Sequence, residues 1–435
     1  MVGIEASDRD SGFRIFESMN DRGARLTSVD LMKSFLLSRA KDGQQELNAS
    51  WRAMIAEVTR QRGDADAPKE FLRAYLISQH ADIASGSDVQ EIINAPHIWA
   101  RRNLKTLGLT QEGEPYQAFV SNLIDLGRVL GKLTAATKQP YEMNGASSLY
   151  YNHVNGATAQ MALILATICS GDLTSTIDEK ARIAANFVDL LVVHRTVNDE
   201  STRQDDLNAE IHGLIPLVRR CPTPTALSSK LGALVPPDSF DGLPNFGLRG
   251  DNRSQFRYIL ARLTAYTEIE MGHKDAIDQY LSSDDPWHSE HLFADHPGRR
   301  PNLVPREFRA VRNRIGGLGL LKDSDNPSIR DLAYADKIEW YRSRNTLLAA
   351  LSPHLHRNNP SLRRFRSSHE LDGVLRAFKA DEDIREVVEQ RGRLYRALAG
   401  RVWSHRRLGL TPPPADATES GGRSTPHLPT PGPPA

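Results

Sequence analysis

Glu290 and His291 stand side by side in the run Trp287-His288-Ser289-Glu290-His291-Leu292-Phe293-Ala294-Asp295-His296. An imidazole beside a carboxylate is a small set with a definite chemistry. The ring can take a proton from water while the carboxylate holds a hard cation against a phosphate. Glu-His pairs also occur on surfaces with no role, so the pair by itself decides nothing. Its neighbourhood is basic. Arg299, Arg300, Arg306, Arg309, Arg312 and Arg314 follow within a few turns of chain, as cations that position a phosphate backbone or simply as a solvated loop. The 435 residues carry a net charge of only +1, so any attraction to nucleic acid must come from local clustering of this kind.

These residues need elements to position them. Short apolar runs separated by Pro- and Arg-rich loops over 287–321 predict a small strand-containing unit set among helices. Elsewhere the apolar period is helical. Leu31, Met32, Phe35 and Leu36 share a face of a helix starting near Ser28, with Ser28 or Thr27 as its cap. Trp51, Met54, Ile55 and Val58 form a second stripe, and Phe119, Leu123, Leu126 and Leu130 a third. The apolar run 158–168 and a long helix over 177–197, bearing Phe187, Leu190, Leu191 and His194 on one face, read as central core. At the end of that helix, His194, Arg195 and Asn198 either cap it or touch a ligand. A Pro-, Gly- and Asn-rich stretch at 236–253 marks a junction before a helix over 255–269, and further helix is expected over 343–351 and 370–403.

At 39% hydrophobic and 25% charged residues the balance is that of an ordinary globular chain of two or three domains. No apolar run approaches the ~20 residues that span a bilayer, and the first residues lack a signal-peptide pattern, so a cytoplasmic protein is expected. Cys169 and Cys221 have neither CxxC nor zinc spacing and are expected reduced. After Leu410 the Pro-rich composition predicts disorder.

The order of motifs beyond Glu290-His291 resembles a known family. Arg312-Asn313-Arg314-Ile315-Gly316-Gly317-Leu318-Gly319-Leu320-Leu321 is followed by Asn326, by Tyr334 with Lys337, by Tyr341 and Asn345-Thr346-Leu347-Leu348, and by Asn359-Pro360-Ser361-Leu362-Arg363-Arg364-Phe365. This series resembles the HNH-type, ββα-metal nuclease domain of GmrSD-like modification-dependent restriction endonucleases. Near the start, Ile15-Phe16-Glu17-Ser18-Met19-Asn20-Asp21-Arg22-Gly23-Ala24-Arg25-Leu26 with Asp30-Leu31 and Lys33 looks like the end of the ParB-like NTPase domain of the same family. Asp42-Gly43-Gln44-Gln45 imitates that domain's nucleotide motif but falls after the segment it should precede, and is read as coincidence.

The resemblance implies a mainly α protein, a helical bundle body with a small ββα-metal (HNH-type) unit in its C-terminal half. The expected divisions are 1–40 as an N-terminally truncated NTPase remnant, 41–250 as a helical linker domain, 251–410 as the nuclease domain with a helical extension, and 411–435 as tail. It implies His291 as general base, Glu290 and Asn326 as ligands of Mg²⁺ (or Mn²⁺ or Ni²⁺), and Lys337 as a residue steadying a phosphate or the fold. Arg309, Arg312 and Arg314 are the expected DNA contacts. Gly317 stands where relatives carry an Asn that orients the base-bearing loop, and Ala294 where they carry Pro. Asn313 is the candidate substitute, and restoring Asn at 317 is expected to help only if Asn313 does not serve. The implied function is a metal-dependent DNA endonuclease or nickase in defence against modified phage DNA, its partners DNA and a separate NTPase-like subunit or further copies of itself covering apolar surface near Phe16 and Leu36. The alternative is a non-catalytic, truncated helical relative that binds DNA or protein.

Overall fold

Helical periodicity dominates the sequence, and the computed structural model is mainly helical. It describes residues 26–84, 86–140, 146–237, 240–284, 286–299 and 302–412, and only the backbone of Arg62, Asn326 and Pro327. Most of the expected NTPase remnant, including Ile15 to Arg25, and the tail from 413 lie outside the described residues. The chain divides into two compact units, one comprising Met1–Val192 with Glu200–Pro224, the other Val193–Asp199 with Thr225–Ala435. The division thus lies ahead of the 236–253 stretch, which is part of the second unit.

In the first unit, α1 (Ser28–Arg39) opens on a capping box in which Asp30 N donates to Thr27 Oγ1 at 3.2 Å and Thr27 N to Asp30 Oδ2 at 3.1 Å. Leu31, Met32, Phe35 and Leu36 are all buried. Leu36 is fully enclosed, so of a partner or a rearranged cover it is the chain itself that covers this residue, while Phe16 lies outside the described residues. Helix α2 (Gln44–Arg62) runs along α3 (Glu114–Ala136). Their close approach requires Gly127, where a Cβ would lie 2.5 Å from Met54 Cγ. The run 158–168 becomes the buried helix Gln160–Thr167, followed by α4 (Thr174–Val197). Both cysteines are free thiols. Among the described residues no helix is long and apolar enough to cross a membrane.

The second unit carries the Glu-His pair. Helix α5 (Arg253–Glu270) leads to β1 (Trp287–His291), then α6 (Pro305–Arg312), β2 (Leu318–Lys322), α7 (Tyr334–Tyr341) and α8 (Ile384–Val402). Strands β1 and β2 pair antiparallel, with Glu290 opposite Gly319 and His291 opposite Leu318. A core of Leu292, Phe293, Phe308, Leu321, Tyr341, Leu348 and Val388, among others, sits behind them. Each such side chain contributes about 1.5–3 kcal/mol by leaving water. The Asn-Pro-x-x-x-x-Phe segment has a local explanation. Asn359 accepts from Leu362 N at 2.9 Å as the cap of helix Pro360–Ser368, Pro360 supplies the first-turn φ, and Phe365 is 1% exposed in the core.

Two expectations are corrected here. The helix expected over 370–403 starts only at Ile384, where Asp383 accepts from Arg385 N at 2.8 Å; the Asp-rich stretch before it offers caps and turns in place of helix. The tail does not begin directly after Leu410. Thr411 N donates to Ser228 O at 3.4 Å, and the two hydroxyls lie 3.0 Å apart.

Candidate active site

His291 ends β1, and its Nε2 lies 2.8 Å from Asn313 Oδ1. The amide oxygen can only accept, so Nε2 carries the proton and Nδ1 of the neutral ring is the basic atom. Asn313 is placed there by the end of α6, whose C-cap it is. Burial pulls the His291 pKa down to about 4, the positive charges of Arg312 and Lys337 add to this, and the Asn313 bond and Asp295 oppose it. The ring is therefore neutral throughout the physiological range.

Glu290, one residue earlier, is buried, and it is balanced from below by Lys337. Lys337 Nζ donates to Glu290 Oε1 at 2.5 Å and to the His291 carbonyl at 2.7 Å. Its own pKa is lowered by burial, against the pull of Glu290. Lys337 is fully buried and is not among the residues that line the cavity in front of the pair.

The loop between α6 and β2 is held by space and by one cation. A Cβ on Gly316 would lie 1.9 Å from Val388 O, and one on Gly317 would lie 2.4 Å from Arg312 O. An Asn at 317 would require the backbone at Arg312 to move. Arg391, on α8 and 1% exposed, donates Nε to Gly316 O at 2.9 Å, Nη1 to Leu347 O at 3.2 Å and Nη2 to Leu318 O at 3.0 Å. Gly317 O in turn accepts from Leu292 N at 2.9 Å, tying this loop to the residue after His291. Asn345 adds a bond from Nδ2 to Leu320 O at 2.6 Å.

A cavity of about 880 Å³ opens over Glu290 and His291. Arg312 lines it and donates Nε to Phe293 O at 3.0 Å. Arg309 and Arg314 do not line it. Arg309 is paired with Asp295 at 3.1 Å, and Arg314 is exposed beside the bridge to Gly247. Arg253, Arg257 and Arg330 do line it, and sequence reasoning passed over them. Arg253 and Arg257 come from a helix more than 30 residues before the Glu-His pair, and no motif marks them. Their four-residue spacing, which places both on one helical face, was the available signal.

Asn326 opens a short helix, Asn326–Ile329, and its side chain is outside the described part. Among the described residues no group of three or more His, Cys, Asp or Glu side chains is arranged to hold a metal ion. Mg²⁺ needs no protein cage. It is commonly held by one or two carboxylates, with water and substrate phosphate filling the octahedron. Glu290, with Oε1 engaged by Lys337, fits that mode as the charged ligand and does not fit a closed site.

An imidazole bonded to an amide, a buried acid and a cavity lined by four arginines and four carboxylates are brought together here. Residues 241–363, which contain β1, β2 and Lys337, match the family model of the GmrSD restriction endonucleases, C-terminal domain, and that segment is GmrSD-like. No curated protein matches the chain. Arg391 lies outside the matched segment.

Proposed function

We propose that the second unit is a DNA endonuclease or nickase of the HNH, ββα-metal type that depends on a divalent cation and acts in defence against phage DNA. The observation that carries this reading is the His291–Asn313 bond at 2.8 Å, at the mouth of a cavity lined by four arginines. The family match over 241–363 supplies the substrate class and the biological setting. Nδ1 of His291 accepts the proton of the attacking water, and Asn313 keeps the ring in the tautomer that leaves Nδ1 bare. Arg312 faces the phosphate and offsets the charge that builds on its oxygens. Glu290 would hold Mg²⁺, Mn²⁺ or Ni²⁺, an ion whose chemistry is to acidify the water and neutralise the phosphate. Lys337 keeps Glu290 and the His291 carbonyl in register.

Nicking of supercoiled plasmid with and without Mg²⁺ tests the reading. Wild type should nick only with metal, and His291→Ala should lose about 10²- to 10⁴-fold in rate. A chain that never cuts, or cuts equally well as His291→Ala, would refute it. The engagement of Glu290 by Lys337 favours a second reading, a non-catalytic DNA-binding relative, which a chain that binds DNA but never cuts would select.

A further inference from the structure

Four carboxylates line the cavity, two of them paired with a lysine or arginine outside its lining and two beside a histidine that makes an ion pair only when protonated. Glu290 meets Lys337 at 2.5 Å, Asp295 meets Arg309 at 3.1 Å, Asp323 lies 3.5 Å from His288, and Asp331 lies 3.7 Å from His296. Arg330 comes within 3.8 Å of Asp331. By contrast, among the described residues neither Arg253 nor Arg257 is within ion-pair distance of a carboxylate; the Arg257 contact is a 3.4 Å bond to Ser282 O. Among the described residues these two guanidinium groups thus have no carboxylate at ion-pair distance, while Asp323 and Asp331 share the cavity with them.

Their position is costly to the helix that bears them. Arg253 and Arg257 sit four residues apart in the first turns of α5, which has no acidic residue in its first turn. A cation at the first helical position, such as Arg253, opposes the helix dipole. The cap residue does not relieve this. Asn252 turns its side chain back, accepting from Arg249 N at 2.8 Å and donating to Gly247 O at 3.0 Å, and it makes no bond to the helix start. Two unpaired arginines, an uncapped helix start and a shared cavity wall with His291 all favour an anion in the same place.

We propose that Arg253 and Arg257 form a phosphate-binding subsite that grips the DNA backbone next to the phosphate being cut. The inference rests on the nuclease reading for the identity of the strand. It adds that the cavity spans successive backbone phosphates, one at His291 and Arg312 and the next at Arg253 and Arg257. Contacts of this kind fix register and orientation and carry no base sequence, so recognition of a sequence or a modification is not assigned to α5.

The test is the salt dependence of binding to a fluorescein-labelled 20-base-pair DNA duplex, followed by anisotropy with the full chain in EDTA. Each phosphate contact contributes about 0.9 to the slope of log affinity against log salt, so Arg253→Gln/Arg257→Gln should flatten the slope by roughly 1–2 and weaken binding about 10- to 100-fold at about 50 mM salt. Arg253→Lys/Arg257→Lys keeps the charge and should keep the slope. Melting temperatures identify a variant that misfolds, in which case the single substitutions are read instead, each expected to remove about 0.9 of slope. An unchanged slope in the glutamine variant, an equal loss in the lysine variant, or no DNA binding by the wild type would overturn the subsite. Wild type that binds through these arginines but never nicks plasmid refutes the nuclease reading and leaves the subsite standing. Nicking with an arginine-independent slope does the reverse.

Discussion

Replacing Lys337 by Met tests how the base-bearing strand is held. The ammonium is fully buried, 2.5 Å from the Glu290 carboxylate and 2.7 Å from the His291 carbonyl. Removing one member of a buried ion pair leaves the other charge uncompensated, which costs about 3–5 kcal/mol. Spread over a unit of some 200 residues, at roughly 2–4 °C per kcal/mol, the second unit should melt about 6–20 °C lower. Glu290→Gln/Lys337→Met removes both charges together, and its loss should be much smaller than the sum of the singles, because a buried pair is often no better than uncharged residues in its place. Scanning calorimetry on the full chain reads both quantities, since the two units can unfold as separate transitions. A Lys337→Met protein melting within about 2 °C of wild type, where a shift of several degrees is expected, would show that Glu290 is relieved by water and that the pair does not hold the strand. The same logic changes the choice of variant for metal dependence. Glu290→Ala would orphan Lys337, so Glu290→Gln is the variant in which a weakened response to Mg²⁺ reports the ligand and not the fold.

Gly317→Asn should lower stability by about 1–3 kcal/mol and lower nicking, because its Cβ would meet Arg312 O; raised activity in the plasmid assay would contradict this. Asn313→Ala removes one hydrogen bond to His291, and a net worth of about 0.5–1.5 kcal/mol predicts a nicking rate lower by roughly 2- to 12-fold with DNA affinity unchanged. In the first unit His80 and His212 are held neutral by burial, each with its pKa lowered to about 4. The unfolded chain binds those protons near the ordinary value of about 6.5, so stability should be full above that pH and fall as the pH drops from about 6.5 towards 4. Melting curves across that range check it, and a first-unit transition that does not move would count against the burial of both rings.

Much of the site was legible because its parts are local. The Glu-His pair at a strand end and the apolar stripes of α1 to α4 follow from patterns over a few residues. Thr27 was readable as a cap for the same reason. The remainder was not legible, because it depends on contacts between residues far apart in sequence. Nothing near Lys337 announces that its ammonium ends on a carboxylate 47 residues away. The arginines nearest in sequence to His291 were the natural candidates for phosphate contact, yet only Arg312 lines the cavity, since the turn of α6 aims Arg309 at Asp295. Arg253 and Arg257 reach the site from α5, and only the packing of that helix against β1 brings them there.

The glycines of the loop before β2 bear on whether the departure at Gly317 marks a lost site. Gly316 is where the backbone of α8 passes, and Gly317 is where the end of α6 passes, so neither position accepts a side chain. The carbonyls that this crowding turns inward need donors, and Arg391 supplies them from outside the segment that matches the family model. With position 317 closed by space, an amide able to orient His291 must come from elsewhere in the loop, and Asn313 already bonds the ring from the end of α6. The substitution at 317 and the bond from Asn313 are thus two parts of one local arrangement. Within the nuclease reading the imidazole keeps an orienting amide even though position 317 is closed, and the atom that closes it is Arg312 O at the end of α6.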